Sequence, residues 1–301
     1  MENILTVSNL NKSFNNKKVL QDVNFSIPKG KIVGLIGPNG AGKTTIMKII
    51  LGLIGFQQGT IKVESQMISV DRHAALAGVG ALIENPGIYP FLSGLDHLKL
   101  FAEKETTPEQ INQLVTDLKM DKYIKQKSKK YSLGMKQKLG IALALLNQPR
   151  LVILDESMNG LDPEATRDLR HLILKQAKLG TTFLISSHIL GELEKVAQDL
   201  LVIDQGKIVK QTTTQALLNS SQQYLDLKTA DDKAARQALL ENNYELTTDE
   251  GLKIAFKADD EVSKILDIMA EEQIKVLDIE HEKGDLEGSL LSLLAQDHTE
   301  E

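Results

Sequence analysis

Residues 34–47 read GLIGPNGAGKTTIM. The apolar run KIVGLIG at 31–37 enters a glycine-rich loop, and a helix-forming segment leaves it. Gly37 through Thr44 match the spacing G-x-x-x-x-G-K-[ST], a pattern that carries meaning between a strand and a helix, as here. Gly37, Gly40 and Gly42 let the backbone wrap a phosphate with its N–H groups turned inward, and Pro38, Asn39 and Ala41 complete the loop. The helix expected near Lys43 points its positive end at the same place. Lys43 supplies a point charge for β- and γ-phosphates, Thr44 offers a hydroxyl to Mg²⁺, and Thr45 can reach a nearby phosphate oxygen. The alternative is a chance glycine turn.

Outward from this loop, short apolar runs alternate with helix-period segments. NILTVSNL, KIVGLIG, GTIKV, VGALIE, LVILDE and TTFLISS read as strands. Such alternation predicts an α/β fold with a mainly parallel sheet covered by helices. LVILD and TFLIS are continuously apolar, as strands buried on both faces must be. Ser93 with Asp96 makes a capping box, and Thr107 with Gln110 makes a second with Pro108 at the first helical position. VIDQGKIVKQ reads as a hairpin turning at Gln205-Gly206, and TTTQALLNS as a short connecting helix.

A bound cation needs a carboxylate, and phosphoryl transfer to water needs that water oriented. LVILDESMNGLDP offers both. Asp155 ends an apolar strand, where α/β sheets place their sites, and is assigned to Mg²⁺ through a coordinated water. Glu156 follows and is assigned to polarise the attacking water. Two acids capping a helix are the alternative reading. In KYSLGMKQKLGIALALL, Ser132 is a natural N-cap. Gly134 in the first turn is costly unless something approaches closely. An ordinary capped helix is the alternative; an exposed Ser/Gly helix start is also an anion site, reachable by a second molecule's nucleotide.

Composition sets the remaining bounds. The 301 residues are 42% hydrophobic and contain no cysteine, which excludes disulfides and thiolate metal sites. The start MENILTVSNLNKSF shows no signal-peptide pattern, and no apolar run approaches the ~20 residues that span a bilayer. Of 35 Lys/Arg and 41 Asp/Glu, residues 221–301 hold 8 and 21, leaving 27 and 20 before them. This sign change near residue 220 predicts a boundary between a domain at 1–217 and an acidic one at 218–301, the latter unsuited to nucleic acid or anionic lipid. The tail reads strand, helix, strand pair around Asp249-Glu250-Gly251, helix, strand, with a last helix in LEGSLLSLLAQ. That βαββαβ order predicts a ferredoxin-like sandwich.

Taken together, these motifs resemble the ATP-binding subunits of ABC transporters over about residues 3–217. GPNGAGKTT resembles their Walker A, LVILDE their Walker B, YSLGMKQ their signature, NGLD with Asp162 their D-loop, and ISSHIL with His188 their switch. Phe14 stands where the family stacks an aromatic on adenine. The resemblance implies antiparallel N-terminal strands, a helical signature subdomain at about 84–150 and an ATPase using ATP and Mg²⁺. It further implies a homodimer with two ATPs sandwiched, Ser132, Leu133 and Gly134 of one copy facing the Walker A of the other. His188 would sense the γ-phosphate. The permease partner implied is a separate membrane protein, which would hold this chain at the cytoplasmic face of the membrane.

Departures from the pattern are local. Leu133 replaces a glycine, Met135 a glutamine, Ser157-Met158 the usual Pro-Thr, and Phe14 a tyrosine. None removes a charge the chemistry needs. In LIENPGIYPFL at 82–92, Glu84 takes the place of the family's Q-loop glutamine, with expected roles at the metal and in catalysis. That glutamate, with YSLGMKQ and ISSHIL, resembles the bacitracin-resistance and lantibiotic-immunity exporters of Gram-positive bacteria. The alternatives are an exporter ATPase for an ion, lipid or other drug, or a soluble ABC ATPase outside transport.

Overall fold

The computed structural model describes residues 2–219, 223–246, 251–256, 259–282 and 285–297. The chain divides into two compact units, Met1–Thr214 and Gln215–Glu301.

In the first unit, β1 (Asn3–Phe14) and β2 (Lys17–Pro28) form a long hairpin. β3 (Ile32–Ile36) runs through the glycine loop into α1 (Lys43–Ile50). β4 (Gln58–Val63) and β5 (Gln66–Met67) precede β6 (Val79–Leu82). Then come α2 (Gly94–Phe101), α3 (Pro108–Asp117) and α4 (Leu133–Leu145). β7 (Leu151–Asp155), α5 (Pro163–Lys178), β8 (Thr182–Ser186), α6 (Leu190–Glu194), β9 (Asp199–Asp204) and β10 (Lys207–Thr213) follow, and α7 (Thr214–Asn219) begins at the boundary residue and otherwise belongs to the second unit.

The strands form two sheets, in the orders β2-β1-β4-β5 and β10-β9-β3-β8-β7-β6. The first is antiparallel. In the second, β9, β3, β8, β7 and β6 are mutually parallel and only the edge strand β10 is antiparallel. β3, β7 and β8 are buried at every residue, so both faces of the sheet are covered, as their unbroken apolar sequences require. Strand period two divides these residues: Val33, Leu35, Leu151, Ile153, Leu184, Leu201 and Ile203 face one way. They pack with Ile46, Met47, Ile49 and Ile50 of α1 and with Leu5, Val7 and Ile61 of the antiparallel sheet. Each fully buried aliphatic side chain here contributes about 1.5–3 kcal/mol. α1 is therefore gripped between two sheets, which fixes the loop that precedes it.

Parallel strands share a direction, so β3, β6, β7 and β8 end at one edge. Asp155 lies beside Ser186 and Leu82 beside Leu154 in the register. The glycine loop, the Asp155-Glu156 pair, the Ser186–His188 segment and Glu84 are gathered there because each follows one of these strands. α2 and α3 open with the capping boxes expected from Ser93/Asp96 and Thr107/Gln110. The hairpin between β9 and β10 turns at Gln205-Gly206, both left-handed.

The second unit contains β11 (Gln223–Thr229), α8 (Asp232–Glu241), β12 (Leu252–Phe256), α9 (Asp259–Glu271), β13 (Val276–Glu282) and α10 (Leu286–Asp297). Its sheet has the order β12-β11-β13, antiparallel throughout. Leu225, Leu227, Leu252, Ile254 and Phe256 point to one face, where they meet Ala235, Ala238 and Leu239 of α8 and Ile265 and Met269 of α9. Asp231 caps α8 by accepting from the Lys233 and Ala234 N–H groups. Of the strand expected over YELTTD, the described residues show one bridge, Leu246 to Ile254, while Asp249 and Glu250 of its turn lie outside them.

Candidate active site

The glycine loop leaves β3 at Gly37, whose φ is 154°, and ends at Gly42, the N-cap of α1, with φ 114°. A Cβ on Gly37 would lie 2.0 Å from the Ile203 carbonyl oxygen, and one on Gly42 2.7 Å from Leu20. At Gly37 the backbone leaves no room for a side chain, and at Gly42 the left-handed φ favours glycine while Leu20 crowds the position. Pro38, Asn39 and Gly40 between them are exposed, and Ala41 is buried. Lys43 is only 8% exposed and donates from Nζ to the Gly37 and Pro38 carbonyls at 2.7 and 3.0 Å. Its ammonium is thus folded back into the loop, where a phosphate would offer stronger acceptors. Burial pushes its pKa down, and the nearby Glu156 and Asp155 carboxylates partly offset that.

Thr44 donates from Oγ1 to Asp155 Oδ2 at 2.7 Å. Asp155, 1% exposed, also accepts from Ser186 Oγ at 2.5 Å. That serine oxygen accepts from the Glu156 N–H at 3.1 Å, so one hydroxyl on β8 orients both acids. Nothing in the sequence singled out Ser186; its role comes from strand register, which sets it beside Asp155. Thr45 is half-buried on the first turn of α1.

Glu156 sits in the left-handed region at φ 52°. Its Oε2 accepts from His188 N at 3.0 Å, His188 Nδ1 at 2.8 Å and Asn159 Nδ2 at 3.2 Å. The bond to Nδ1 requires that nitrogen to carry the proton. His188 therefore joins Glu156, and its ring remains 57% exposed. Backbone strain at Glu156 costs about 1–2 kcal/mol and is held by these contacts.

Other expected residues lie apart from this cluster. Ser132 caps α4 by accepting from the Met135 N–H at 3.3 Å, and Leu133 is 59% exposed beside it. Gly134 approaches the Gly160 carbonyl. Asp162 caps α5, accepting from the Ala165 N–H at 2.7 Å. Phe14 is 46% exposed, with Lys12 Nζ 4.4 Å from its ring centre. Glu84, left-handed at φ 56°, pairs with Lys48 at 2.7 Å and is not joined to Thr44 or Asp155.

The Thr44 hydroxyl and Asp155 carboxylate form a hard oxygen pair at one point. Among the described residues no three His, Cys, Asp or Glu side chains gather into a cage. That donor set suits Mg²⁺, which binds through one or two protein oxygens, substrate phosphates and water.

Comparisons with known proteins agree with this chemistry. Residues 20–159 match the family model described as ABC transporter. The chain is 32% identical over 301 residues to the uncharacterized ABC transporter ATP-binding protein YhcH of Bacillus subtilis, covering 98% of this chain and 97% of that one. It is 36% identical to the bacitracin transport ATP-binding protein BcrA of Enterococcus faecalis, over 82% of this chain and 81% of that one. It is 43% identical to the lantibiotic transport ATP-binding protein SrtF of Streptococcus pyogenes, over 68% and 89%. A solved ATP-binding subunit of an ABC transporter superposes with a TM-score of 0.66 at 29% identity, over 71% of this chain and 91% of that one. The chain belongs to the family of ABC transporter ATP-binding subunits and is an ATPase.

Proposed function

We propose that this subunit powers export of a bacitracin- or lantibiotic-like antimicrobial peptide through a separate membrane permease. The observation that carries the reading is the identity to BcrA and SrtF, whose names state transport of such compounds. Glu84 in the Q-loop position, first read from the sequence, supports the same subgroup. Among the described residues no helix is long and apolar enough to cross a membrane, so a permease is needed for transport. The chain would meet the cytoplasmic face of the membrane through that partner.

In this reading the loop Gly37–Gly42 and the α1 N-terminus cradle the β-phosphate. Lys43 turns from the Gly37 and Pro38 carbonyls to the β- and γ-phosphates. Thr44, Asp155 and, after leaving Lys48, Glu84 would hold Mg²⁺. The ion, when bound, neutralises charge on the phosphate oxygens. Glu156 takes a proton from the attacking water, and His188 donates to the γ-phosphate. Phe14 stacks on adenine. Ser132, Leu133 and Gly134 face the nucleotide of a second copy in an isologous dimer, with Asp162 lining the same interface. The exposure of Ser132 and Leu133 at the start of α4 supports that role. The acidic unit after residue 217 is read as an accessory ferredoxin-like domain; its strand order, with Leu246 beside β12, supports this.

The test is expression of this chain with a candidate permease in a peptide-sensitive strain. Bacitracin or lantibiotic resistance that requires both proteins and an intact Lys43 is the expected result. Growth protection without the permease, or against neither peptide class, would remove the reading.

A further inference from the structure

The geometry assigns Asn159 as a positioning residue for the catalytic base: its side-chain amide holds one oxygen of Glu156 so that the other faces the attacking water. Three N–H groups converge on Glu156 Oε2, two from His188 and one from Asn159 Nδ2 at 3.2 Å. None of them touches Oε1, which is left to accept a water proton. The three donors differ in one respect. The His188 ring is expected to turn toward the γ-phosphate, which would release its Nδ1 and leave the His188 backbone N–H and Asn159 to hold Oε2. Asn159 lies three residues along the same turn, Asn159 N–H bonding back to the Glu156 carbonyl at 3.1 Å, so its grip does not depend on that movement.

The other end of the amide explains its orientation. Asn159 Oδ1 is buried and has no hydrogen-bond partner. Turning the amide over would point this oxygen at a carboxylate and remove the bond to Oε2. The orientation with an unsatisfied acceptor is therefore kept for the sake of the donor. A residue needed only to fill space would carry no such amide. The turn itself leaves no slack. Gly160 follows at φ 73°, where a Cβ would strike Leu133, and Asp162 fixes the start of α5.

The inference rests on Glu156 as the base, and its test separates the two claims. In nucleotide-free protein with ¹⁵N-labelled asparagine, the Asn159 side-chain amide signal is identified by its absence in Asn159→Asp. It should move in Glu156→Gln, where the carboxylate becomes an amide. A signal that stays in place overturns the contact. In steady-state kinetics, Asn159→Ala should lower kcat about tenfold or more and leave KM for ATP within about twofold. Asn159→Asp, equal in shape but lacking the donor, should lose more. Native kcat in Asn159→Asp would mean that shape alone matters and overturns the inference, whether or not the alanine variant folds. If Glu156→Gln itself retained full hydrolysis, the base assignment would fail, a result distinct from either of these.

Discussion

Lys48 Nζ and Glu84 Oε1 are 2.7 Å apart, joining the helix that follows the phosphate loop to the segment that follows β6. Lys48 lies four residues beyond Thr44, on the same face of α1. The added negative charge of Glu84, compared with a glutamine, is thus answered by a lysine one helical turn from Thr44, the threonine proposed for Mg²⁺. Both side chains are substantially exposed, at 31% and 58%, so the pair contributes no more than about 1 kcal/mol to stability. Lys48→Ala and Glu84→Gln should each change the melting temperature little. If Glu84 passes from Lys48 to Mg²⁺ on loading, Glu84→Gln should raise the Mg²⁺ concentration for half-maximal ATPase activity several-fold, and Lys48→Ala should lower it. Titration of ATPase rate with Mg²⁺ checks both. Identical curves would mean that the carboxylate is incidental to the metal.

Lys43 joins stability and function with opposite signs. Its pKa is lowered in the fold, chiefly by burial. A lysine whose folded pKa lies below its unfolded value disfavours folding at neutral pH, and that cost is relieved as pH rises from the lowered value toward 10.5. Lys43→Met should abolish ATP binding, since it removes charge-assisted hydrogen bonds worth about 1.5–3 kcal/mol each. The nucleotide-free variant should nevertheless melt close to the native protein at pH 7, with the native protein gaining on it as pH rises. Thermal melts from pH 7 to about 10 test the sign. A native advantage that shrinks with pH would contradict it.

Much of this architecture is legible in the sequence. The capping boxes at Ser93/Asp96 and Thr107/Gln110, the buried strands LVILD and TFLIS and the glycine loop are local signals, each closed within a few residues. β2 was not foreseen. KKVLQDVNFSIP carries adjacent polar residues at Gln21 and Asp22 that break its alternation, and Asn9, Asn11, Asp22 and Asn24 bond one another where the β1–β2 register shifts. Lys48, Asn159 and Ser186 were missed for a related reason. Their partners are Glu84, Glu156 and Asp155, and no motif specifies a contact made by folding.

Ser186 carries two acids at once. Ser186→Ala leaves Asp155 Oδ1 and the Glu156 N–H without that hydroxyl at a fully buried position. The cost should be about 1–3 kcal/mol. A fall of several degrees in melting temperature, with kcat reduced more than ATP affinity, is expected from scanning calorimetry and steady-state kinetics. A variant of native stability would show that the hydroxyl is dispensable.

Glu156→Gln removes the carboxylate proposed to take the water proton and keeps the shape, so ATP should bind without being consumed. If the composite site forms, this variant should elute as a dimer in ATP with Mg²⁺ and as a monomer without nucleotide. Light scattering after size exclusion distinguishes the two. A monomer in saturating ATP would count against Ser132, Leu133 and Gly134 serving a second copy's nucleotide.

Leu133 and Gly160 test whether the signature and the loop after Glu156 are coupled within one chain. A Cβ built on Gly160 lies 2.6 Å from Leu133 Cδ2, and Gly160 has φ 73°. The bulky residue standing where the family carries glycine thus covers a glycine in the neighbouring motif. Gly160→Ala should cost about 1–2 kcal/mol for the left-handed backbone alone, plus whatever is needed to displace Leu133. Leu133 is 59% exposed and can swing outward, so the second term is small, at roughly 0.5–1 kcal/mol. In a Leu133→Ala background the clash is gone and only the backbone cost remains. Urea denaturation of the two single variants and the double variant measures that difference. Strict additivity would show that Leu133 rests on Gly160 without constraining it, whereas a double variant less destabilised than the sum of the two singles, the expected result, means that Leu133 limits position 160 to a residue without a side chain.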